Sequence, residues 1–292
     1  MKTSAAETPK ETALTNLMKT ASATGKVFAV IGDPVGHSLS PAMHNAAFRK
    51  CGIDAVYLAL RVEAEELEKA VAEMKATAGL AGFNVTAPHK CSVLPLLDSI
   101  DEKAGRAGAV NTVVNSGGRL CGFNTDVQGV EKALEKLVGG ARGLRVVVLG
   151  AGGSARAVLQ AVGDLEVVVM SRGIQKAREL AESHPNAIAA GLSATALEEH
   201  VKRADLLVNA TPVGLADEDS LVPGRLLAKR PAVLDLVYKK GGTKLVRDGL
   251  ARGCRASGGG EVLLQQGLAS FKLFTGRSAP ENAMRNVLEG IL

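Results

Sequence analysis

The feature that most constrains the fold is an apolar segment that runs directly into a glycine-rich turn. Residues Leu144–Leu149 are followed by Gly150–Ala155, with the sequence Gly-Ala-Gly-Gly-Ser-Ala, and a helical pattern begins at Ser154. This order of strand, turn and helix is typical of a dinucleotide-binding βαβ unit, in which alanine can replace the third glycine. Gly150 permits the turn, Gly152 allows a pyrophosphate to approach, and free N–H groups at the helix start bind anions. We therefore predict a Rossmann-type doubly wound sheet, with cofactor contacts at Gly150, Ala151, Gly152, Gly153 and Ser154.

The residues after the next predicted strand, Val167–Met170, indicate which dinucleotide fits. An NAD site usually has an acidic residue there to bind the ribose 2′-hydroxyl. This chain instead has Ser171, Arg172 and Lys176, with no carboxylate before Glu179. A hydroxyl and two cations suit a 2′-phosphate, so we predict NADP as the cofactor. The alternative is that Arg172 and Lys176 are only solvated residues at the start of a helix.

The first half of the chain alternates between strand, helix and turn signals. Apolar runs predict strands and amphipathic patterns predict helices over Val27–Ile31, Ala42–Cys51, Val56–Leu60, Glu63–Lys75 and Leu80–Val85. Ser40 and Pro41 have the residue types of a helix N-cap and a first helical turn. This alternation, which continues to Asp126, predicts βαβ units and an α/β fold with polar residues in the loops at the strand ends.

Polar residues cluster in three short segments, Gly82–Lys90, Asn111–Thr112 and Asn124–Asp126. Their hydroxyl and amide groups suit a polyhydroxylated substrate, and Lys90 with Asp126 suits proton transfer. Taken singly, Lys90 would be a solvated loop lysine and Asp126 a helix cap. Together with a nucleotide-binding turn, the segments indicate an enzyme that interconverts a carbonyl group and an alcohol.

The composition bounds the size of the core and argues against several classes of partner. With 292 residues, of which 46% are hydrophobic, the chain can form one large domain or two medium ones. The net charge is +5, basic residues are scattered among acidic ones, and aromatic residues make up 3%, so we expect no nucleic acid partner. No apolar run reaches the length of a membrane span, so we expect no membrane partner.

Cysteine spacing and the amino-terminal segment bear on the compartment. The four cysteines, Cys51, Cys91, Cys121 and Cys254, are far apart and form no Cys-x-x-Cys pair. We therefore predict a reduced cytoplasmic protein with no disulfide framework and no metal site. Residues 1–25 lack the apolar core of a secretory signal, and we predict that they form a disordered tail.

A series of motifs follows in a fixed order along the rest of the chain: Gly32–Pro41, Asn84–Lys90, Gly108–Thr112, Gly122–Asp126, Gly150–Ala155, Asn209–Gly214, Asp235–Tyr238 and Gly259–Gly267. With these motifs the chain resembles the shikimate dehydrogenase family over nearly all of Val27–Leu292. The resemblance implies reversible NADP-dependent reduction of 3-dehydroshikimate to shikimate, on the pathway to chorismate and the aromatic amino acids. It also implies a substrate-binding and catalytic domain at residues 26–127 and 265–292. A Rossmann domain at residues 128–264 is implied as well, with the active-site cleft between the two.

The family motifs imply a role for each residue that matches them. Lys90 and Asp126 match the catalytic pair, and the substrate-binding positions are Ser38, Ser40, Asn84, Thr86, Asn111, Tyr238 and Gln266. The cofactor positions are the turn residues above together with Ser171, Arg172, Lys176, Leu236 and Gly259. The implied partner is a small molecule, and a homodimer is a candidate assembly. Two segments depart from the family, because Ser171–Gly173 replaces Asn-Arg-Thr and Glu261–Val262 replaces a small residue and Met.

Gln266 lies in the carboxy-terminal segment, although its implied partners lie in the first domain. We therefore expect this segment to cross back and dock through an apolar stripe at Leu263, Leu264, Leu268, Phe271 and Phe274.

Two alternative functions stay open at this stage. One is a quinate/shikimate dehydrogenase with relaxed substrate or cofactor choice, although the missing acidic residue after Met170 disfavours its NAD-using form. The other is a ligand-sensing regulator without catalysis, which would have no need for both Lys90 and Asp126.

Overall fold

Two six-stranded sheets organise the computed structural model, which describes residues 25–139 and 143–292. The predicted tail lies outside the described residues except for Gly25. The strands of the first sheet are β1 (Lys26–Gly32), β2 (Ala55–Arg61), β3 (Leu80–Val85), β4 (Ser99–Ile100), β5 (Thr112–Ser116) and β6 (Arg119–Phe123). They are arranged in the order β2-β1-β3-β5-β6-β4. The helices that connect them are α1 (Ser40–Cys51), α2 (Leu67–Ala76) and α3 (Glu102–Ala107).

The first sheet is mixed, which corrects part of the sequence prediction. Strand β1 pairs in parallel with β2 and β3, as βαβ units require. However, β5 is antiparallel to both β3 and β6, so the βαβ alternation expected up to Asp126 does not extend to these strands. The β5–β6 pairing follows from the turn at Gly117 and Gly118, whose φ angles of 61° and 86° match a tight hairpin that only glycine adopts easily.

The start of α1 also differs from the prediction. Ser40 is the first helical residue rather than the N-cap, which is Leu39 and forms no side-chain capping bond. Instead, the hydroxyl of Ser38 accepts a hydrogen bond from the Ser40 N–H at 3.3 Å. The side chain of Ser40 therefore does not cap its own helix.

The second sheet is entirely parallel. Its strands are β7 (Arg145–Leu149), β8 (Glu166–Ser171), β9 (Ala187–Gly191), β10 (Leu206–Asn209), β11 (Ala232–Asp235) and β12 (Ala256–Ser257). Their order is β12-β11-β10-β7-β8-β9, which is the doubly wound order 3-2-1-4-5-6 when counted from β7. In such a sheet, ligands bind at the carboxyl ends of the strands where the order reverses, here between β7 and β10.

The helices of this half cover both faces of the sheet. They are α4 (Asp126–Val138), α5 (Gly153–Val162), α6 (Ile174–Glu182), α7 (Ala194–Val201) and α8 (Lys244–Ala251). Successive residues of β7 alternate between two buried clusters, since Val146 and Val148 belong to one and Val147 and Leu149 to the other. A strand buried on both faces needs apolar residues at every position, which explains the unbroken valine run.

The last two helices, α9 (Gly260–Thr275) and α10 (Glu281–Glu289), return to the first sheet. Phe271 and Phe274 of α9 are buried with Phe28 of β1 and Phe48 of α1, and the Phe28 and Phe274 ring centroids are 4.8 Å apart. This packing confirms the expected docking of the apolar stripe. No helix within the described ranges is both long and apolar enough to span a membrane.

Candidate active site

A cavity of about 170 Å³ lies between the two sheets. It is lined from the first half of the chain by Ser38, Ser40, Asn84, Thr86, Lys90, Asn111 and Asp126. The second half and the returning helix add Ser154, Leu236, Tyr238, Gly259, Val262 and Gln266. Every residue that the sequence assigned to catalysis or substrate binding therefore reaches one space.

An ion pair between Lys90 and Asp126 lies in this cavity. Lys90 follows β3, Asp126 opens α4, and Lys90 Nζ is 2.6 Å from Asp126 Oδ2. Both side chains are only 13% exposed. Lys90 Nζ also lies 3.4 Å from the hydroxyl of Ser154, in the first turn of α5. An ammonium group has three hydrogens, so one remains for a ligand in the cavity.

Asn111 orients the carboxylate of this pair. Its Nδ2 donates to Asp126 Oδ1 at 2.8 Å, while its Oδ1 accepts from the Thr125 backbone N–H at 2.7 Å. The backbone N–H can only donate, so it determines which end of the amide is the oxygen. Each oxygen of Asp126 thus has its own donor, Asn111 on one side and Lys90 on the other.

Asn84 is held by Tyr57, a residue that the sequence analysis did not assign to the site. The Tyr57 hydroxyl donates to Asn84 Oδ1 at 2.6 Å, and Asn84 Nδ2 donates to the Asn111 carbonyl at 2.9 Å. Burial raises the pKa of Tyr57 well above its usual value, which keeps the hydroxyl protonated as a donor. The sequence did contain one indication of this role. A tyrosine at a buried position of a strand needs a hydrogen-bond partner for its hydroxyl.

Glycine at position 153 allows Lys90 to approach the start of α5. A Cβ atom on Gly153 would lie 2.7 Å from the Cβ of Lys90, closer than side chains can pack. The glycine turn therefore contacts Lys90 itself.

A second cavity, of about 450 Å³, extends from Lys90 along the glycine turn. Its lining includes Gly150–Ser154, Ser171 and Thr211, and its charged lining residues are Lys90, Arg172 and Lys176, all of them cationic. Gly150 has a φ of 109°. A Cβ built on Gly152 meets no atom within 4 Å. This combination of open space at a helix N-terminus and cationic side chains fits a phosphorylated dinucleotide.

Glu261 and Val262, which differ from the usual residues of the family, have different surroundings. Val262 lines the first cavity, whereas Glu261 forms salt bridges with Lys136 of α4 at 2.9 Å and Arg285 of α10 at 3.0 Å. Arg285, more than any other residue, lowers the pKa of Glu261 to about 2. The sequence marked Glu261 only as a departure from the family, and it did not predict these salt bridges, because the partners lie on other helices.

Two buried histidines, His44 and His89, line neither cavity. His44 is fully buried and stacks on Tyr57 with ring centroids 4.5 Å apart, and burial lowers its pKa to about 3. His89 Nε2 lies 2.6 Å from the Val62 carbonyl oxygen. Both histidines therefore belong to the packing around the site.

Three family models match successive parts of the chain. They are the shikimate dehydrogenase substrate binding domain at residues 30–113, shikimate/quinate 5-dehydrogenase at 132–215 and the shikimate 5′-dehydrogenase C-terminal domain at 259–289. Shikimate dehydrogenase (NADP(+)) of Thermococcus kodakarensis is 44% identical over 273 residues, covering 93% of this chain and 99% of that protein. The chain belongs to the shikimate dehydrogenase family.

Solved structures agree with this assignment. Shikimate 5-dehydrogenase of Thermus thermophilus, in complex with NADP(H) and shikimate, is 39% identical with a TM-score of 0.81. The alignment covers 91% of this chain and all of that one. Quinate dehydrogenase of Corynebacterium glutamicum, in complex with NAD, is 30% identical with a TM-score of 0.80, over 91% of this chain and 99% of the other. The predicted fold class and family resemblance are confirmed.

Proposed function

We propose that the protein catalyses the reversible NADP-dependent reduction of 3-dehydroshikimate to shikimate, a step towards chorismate and the aromatic amino acids. The observation that carries the proposal is the Lys90–Asp126 pair, held 2.6 Å apart where the substrate cavity meets the glycine turn. Relatives named for this reaction, and the solved Thermus structure with both ligands, support it.

The residues of the first cavity suit a cyclic acid with several hydroxyl groups. In our proposal, the hydroxyls of Ser38 and Ser40 bind the substrate carboxylate. Asn84 and Tyr238 line the pocket, and burial raises the pKa of Tyr238, so it stays a neutral donor. The groups that bind the substrate hydroxyls and the reacting oxygen are Thr86, Asn111, Asp126 and Gln266.

Lys90 is the proton donor in the direction of reduction. When the dinucleotide is bound, NADPH supplies the hydride that the carbonyl carbon accepts. The carbonyl oxygen then gains a proton from the Lys90 ammonium group, and in the reverse direction Lys90 takes that proton back. Asp126 holds the ammonium group in place and stabilises its charge, while Ser154 Oγ steadies it from the cofactor side.

The second cavity binds the dinucleotide in this proposal. The N–H groups at the start of α5, with Gly150, Ala151, Gly152, Gly153 and Ser154, face the pyrophosphate. Ser171, Arg172 and Lys176 bind the 2′-phosphate, and among the described residues that line this cavity there is no carboxylate to bind a free 2′-hydroxyl. Leu236 and Gly259, which line the substrate cavity, contact the nicotinamide end.

We further propose that residues 26–127 and 265–292 form the substrate domain and residues 128–264 the nucleotide domain. Helices α4 and α9 pack on each other and run across both limits, so they connect the two units. A homodimer and a cytoplasmic location stay predictions from the sequence.

One assay separates the candidate functions. Initial rates are measured with shikimate or quinate, each with NADP⁺ or NAD⁺. We expect the highest kcat/KM for shikimate with NADP⁺. A preference for quinate with NAD⁺ would instead support the alternative represented by the Corynebacterium relative. Binding without turnover of any pair would point to a ligand-sensing regulator and would contradict the proposal.

A further inference from the structure

Ser270 of α9 is a buried polar residue outside the substrate and cofactor positions described above. It lies one helical turn after Gln266, and its side chain is 0% exposed. Its Oγ is 2.9 Å from Thr112 Oγ1, 3.0 Å from Thr125 Oγ1 and 3.1 Å from Asn84 Nδ2. A serine in an apolar helix face contacts three polar groups of the first sheet and its loops.

These contacts close a ring of hydrogen bonds through Asn111. Asn111 Nδ2 donates to Thr125 Oγ1 at 2.9 Å, and Thr112 Oγ1 donates to Asn111 Oδ1 at 3.0 Å. Ser270 joins the two threonines and thereby completes the ring.

Asn111 fixes the direction of the bonds that it makes in the ring. Its Nδ2 can only donate and its Oδ1 can only accept, and the Thr125 N–H identifies which is which. When Thr112 uses its one hydrogen on Asn111, it accepts from Ser270, as it also does from Asn84 Nδ2 at 2.9 Å. Ser270 then accepts from Thr125, whose hydroxyl oxygen accepts from Asn111. In this arrangement each hydroxyl donates once, and each hydroxyl hydrogen of the ring has an acceptor.

We propose that Ser270 is a positioning residue that locks the Asn111 amide onto Asp126. With one Nδ2 hydrogen held by the ring, the other points at Asp126 Oδ1, 2.8 Å away. The same Ser270 oxygen accepts from Asn84 Nδ2, so one hydroxyl orients two amides that line the substrate cavity. The inference rests on the proposed function, because it assigns Asn84, Asn111 and Asp126 to the substrate.

Loss of the Ser270 hydroxyl opens the ring between Thr112 and Thr125. Thr125 then has its hydrogen available for Asn111 Oδ1, which lies 3.2 Å away and already accepts from Thr112. Two hydroxyl donors then compete for one oxygen. The Asn111 amide keeps the orientation set by the Thr125 N–H, but it is held less firmly against Asp126. The consequence reaches the substrate hydroxyls, whereas the dinucleotide cavity, which none of these side chains lines, is unaffected.

The test compares Ser270→Ala with Thr275→Val, which removes another hydroxyl from α9. Thr275 Oγ1 donates to the Phe271 carbonyl at 2.8 Å and lines neither cavity. We expect Ser270→Ala to raise KM for shikimate about tenfold, the equivalent of one lost hydrogen bond, with KM for NADP⁺ unchanged. Thr275→Val should change neither KM. Equal kinetics for the two variants, or an equal rise in both KM values for Ser270→Ala, would overturn the proposal.

A second pair of variants covers the case in which Ser270→Ala does not fold. Thr112→Val keeps the shape of the side chain but removes its hydroxyl, whereas Thr112→Ser keeps the hydroxyl. We expect the first to reproduce the tenfold effect and the second to behave as the wild type. The double variant Ser270→Ala/Thr112→Val should be no worse than either single one, because the ring is already open. Additive effects would contradict a ring that acts as a unit.

A measurement without turnover separates this proposal from the proposed function. The side-chain amide protons of Asn111, assigned by their loss in Asn111→Asp, should exchange slowly with solvent in the wild type. They should exchange faster in Ser270→Ala and Thr112→Val, but not in Thr275→Val. Unchanged exchange in the first two variants would refute the ring, even if shikimate is turned over. If the wild type does not turn over shikimate, the proposed function fails while the exchange data still decide on the ring.

Discussion

At the scale of single residues, the site depends on how closely Lys90 can approach the glycine turn. The residue at position 153 must lack a side chain, because a Cβ there would lie 2.7 Å from Lys90 Cβ. This requirement differs from that at Gly150, where a φ of 109° and the nearby Ala210 carbonyl demand glycine for the turn itself. In the proposed function, the turn therefore accommodates Lys90 as well as the dinucleotide.

Gly153→Ala should displace Lys90 and lower kcat/KM for shikimate by about 10²-fold, since a shift of about 1 Å in a reacting group has an effect of that size. Gly105→Ala is the matched control, because a Cβ at Gly105 of α3 meets no atom within 4 Å. Steady-state kinetics and melting temperatures are measured for both variants. Wild-type kcat/KM in a folded Gly153→Ala protein would show that the lysine does not need this close approach.

Sequence patterns could predict the site residues at the ends of elements. They could not predict the buried residues that hold those site residues in position. Lys90 and Asp126 stand at the ends of predicted elements, where chemistry-bearing side chains are expected. Tyr57 and Ser270 lie within apolar patterns and are indistinguishable there from core residues. Ser270 meets Thr112 across 158 positions of sequence, and only the return of α9 to the first sheet brings them together.

At the scale of elements, α9 determines how the two halves of the site meet. Val262 in its first turn and Gly259 at its N-cap line the first cavity, and Glu261 joins this turn to α4 and α10. The amphipathic pattern of α9 predicted its existence and its docking face. The antiparallel hairpin of β5 and β6 was not predicted, because its two-glycine turn can be recognised only once both flanking strands are known.

Glu261→Gln should destabilise the protein at neutral pH by roughly 1–3 kcal/mol, because the charged partners Arg285 and Lys136 lose their carboxylate. The pKa of Glu261 falls from the ordinary 4.5 to about 2 on folding. Its contribution is therefore complete above pH 4.5 and is lost as the pH falls towards 2. Urea unfolding should show a difference from the wild type at pH 7 that shrinks at about pH 3.

The control for this prediction is Glu131→Gln, which changes an exposed carboxylate of α4. It should unfold like the wild type at both pH values. A stability difference for Glu261→Gln that is the same at pH 7 and about pH 3 would mean that the salt bridges do not account for it.

At the scale of the whole molecule, two cavities meet at Lys90 and Ser154, which line both of them. One cavity belongs mainly to the mixed sheet and the other to the reversal point of the parallel sheet. The Rossmann half was predictable because its strand order follows from a local turn and a repeated βα pattern. The meeting of the cavities depends on packing between distant segments, so it could be expected only from the family resemblance.

Arg172→Ala should raise KM for NADP⁺ about tenfold or more, because a charge-assisted contact to the 2′-phosphate contributes about 1.5–3 kcal/mol. KM for NAD⁺, which lacks that phosphate, should barely change. Arg178→Ala, which changes an exposed residue of α6 outside the cavity lining, serves as the control. An equal effect of Arg172→Ala on both cofactors would mean that Arg172 has a structural role.

The central claim is that Lys90, paired with Asp126, transfers the proton. Its most direct test is the kcat of Lys90→Ala with shikimate and NADP⁺, next to Lys103→Ala, which changes an exposed lysine of α3. Loss of an acid–base group should lower kcat by about 10²–10⁴ while KM for shikimate changes little. Lys103→Ala should match the wild type. A folded Lys90→Ala protein with a near-normal kcat would contradict the account.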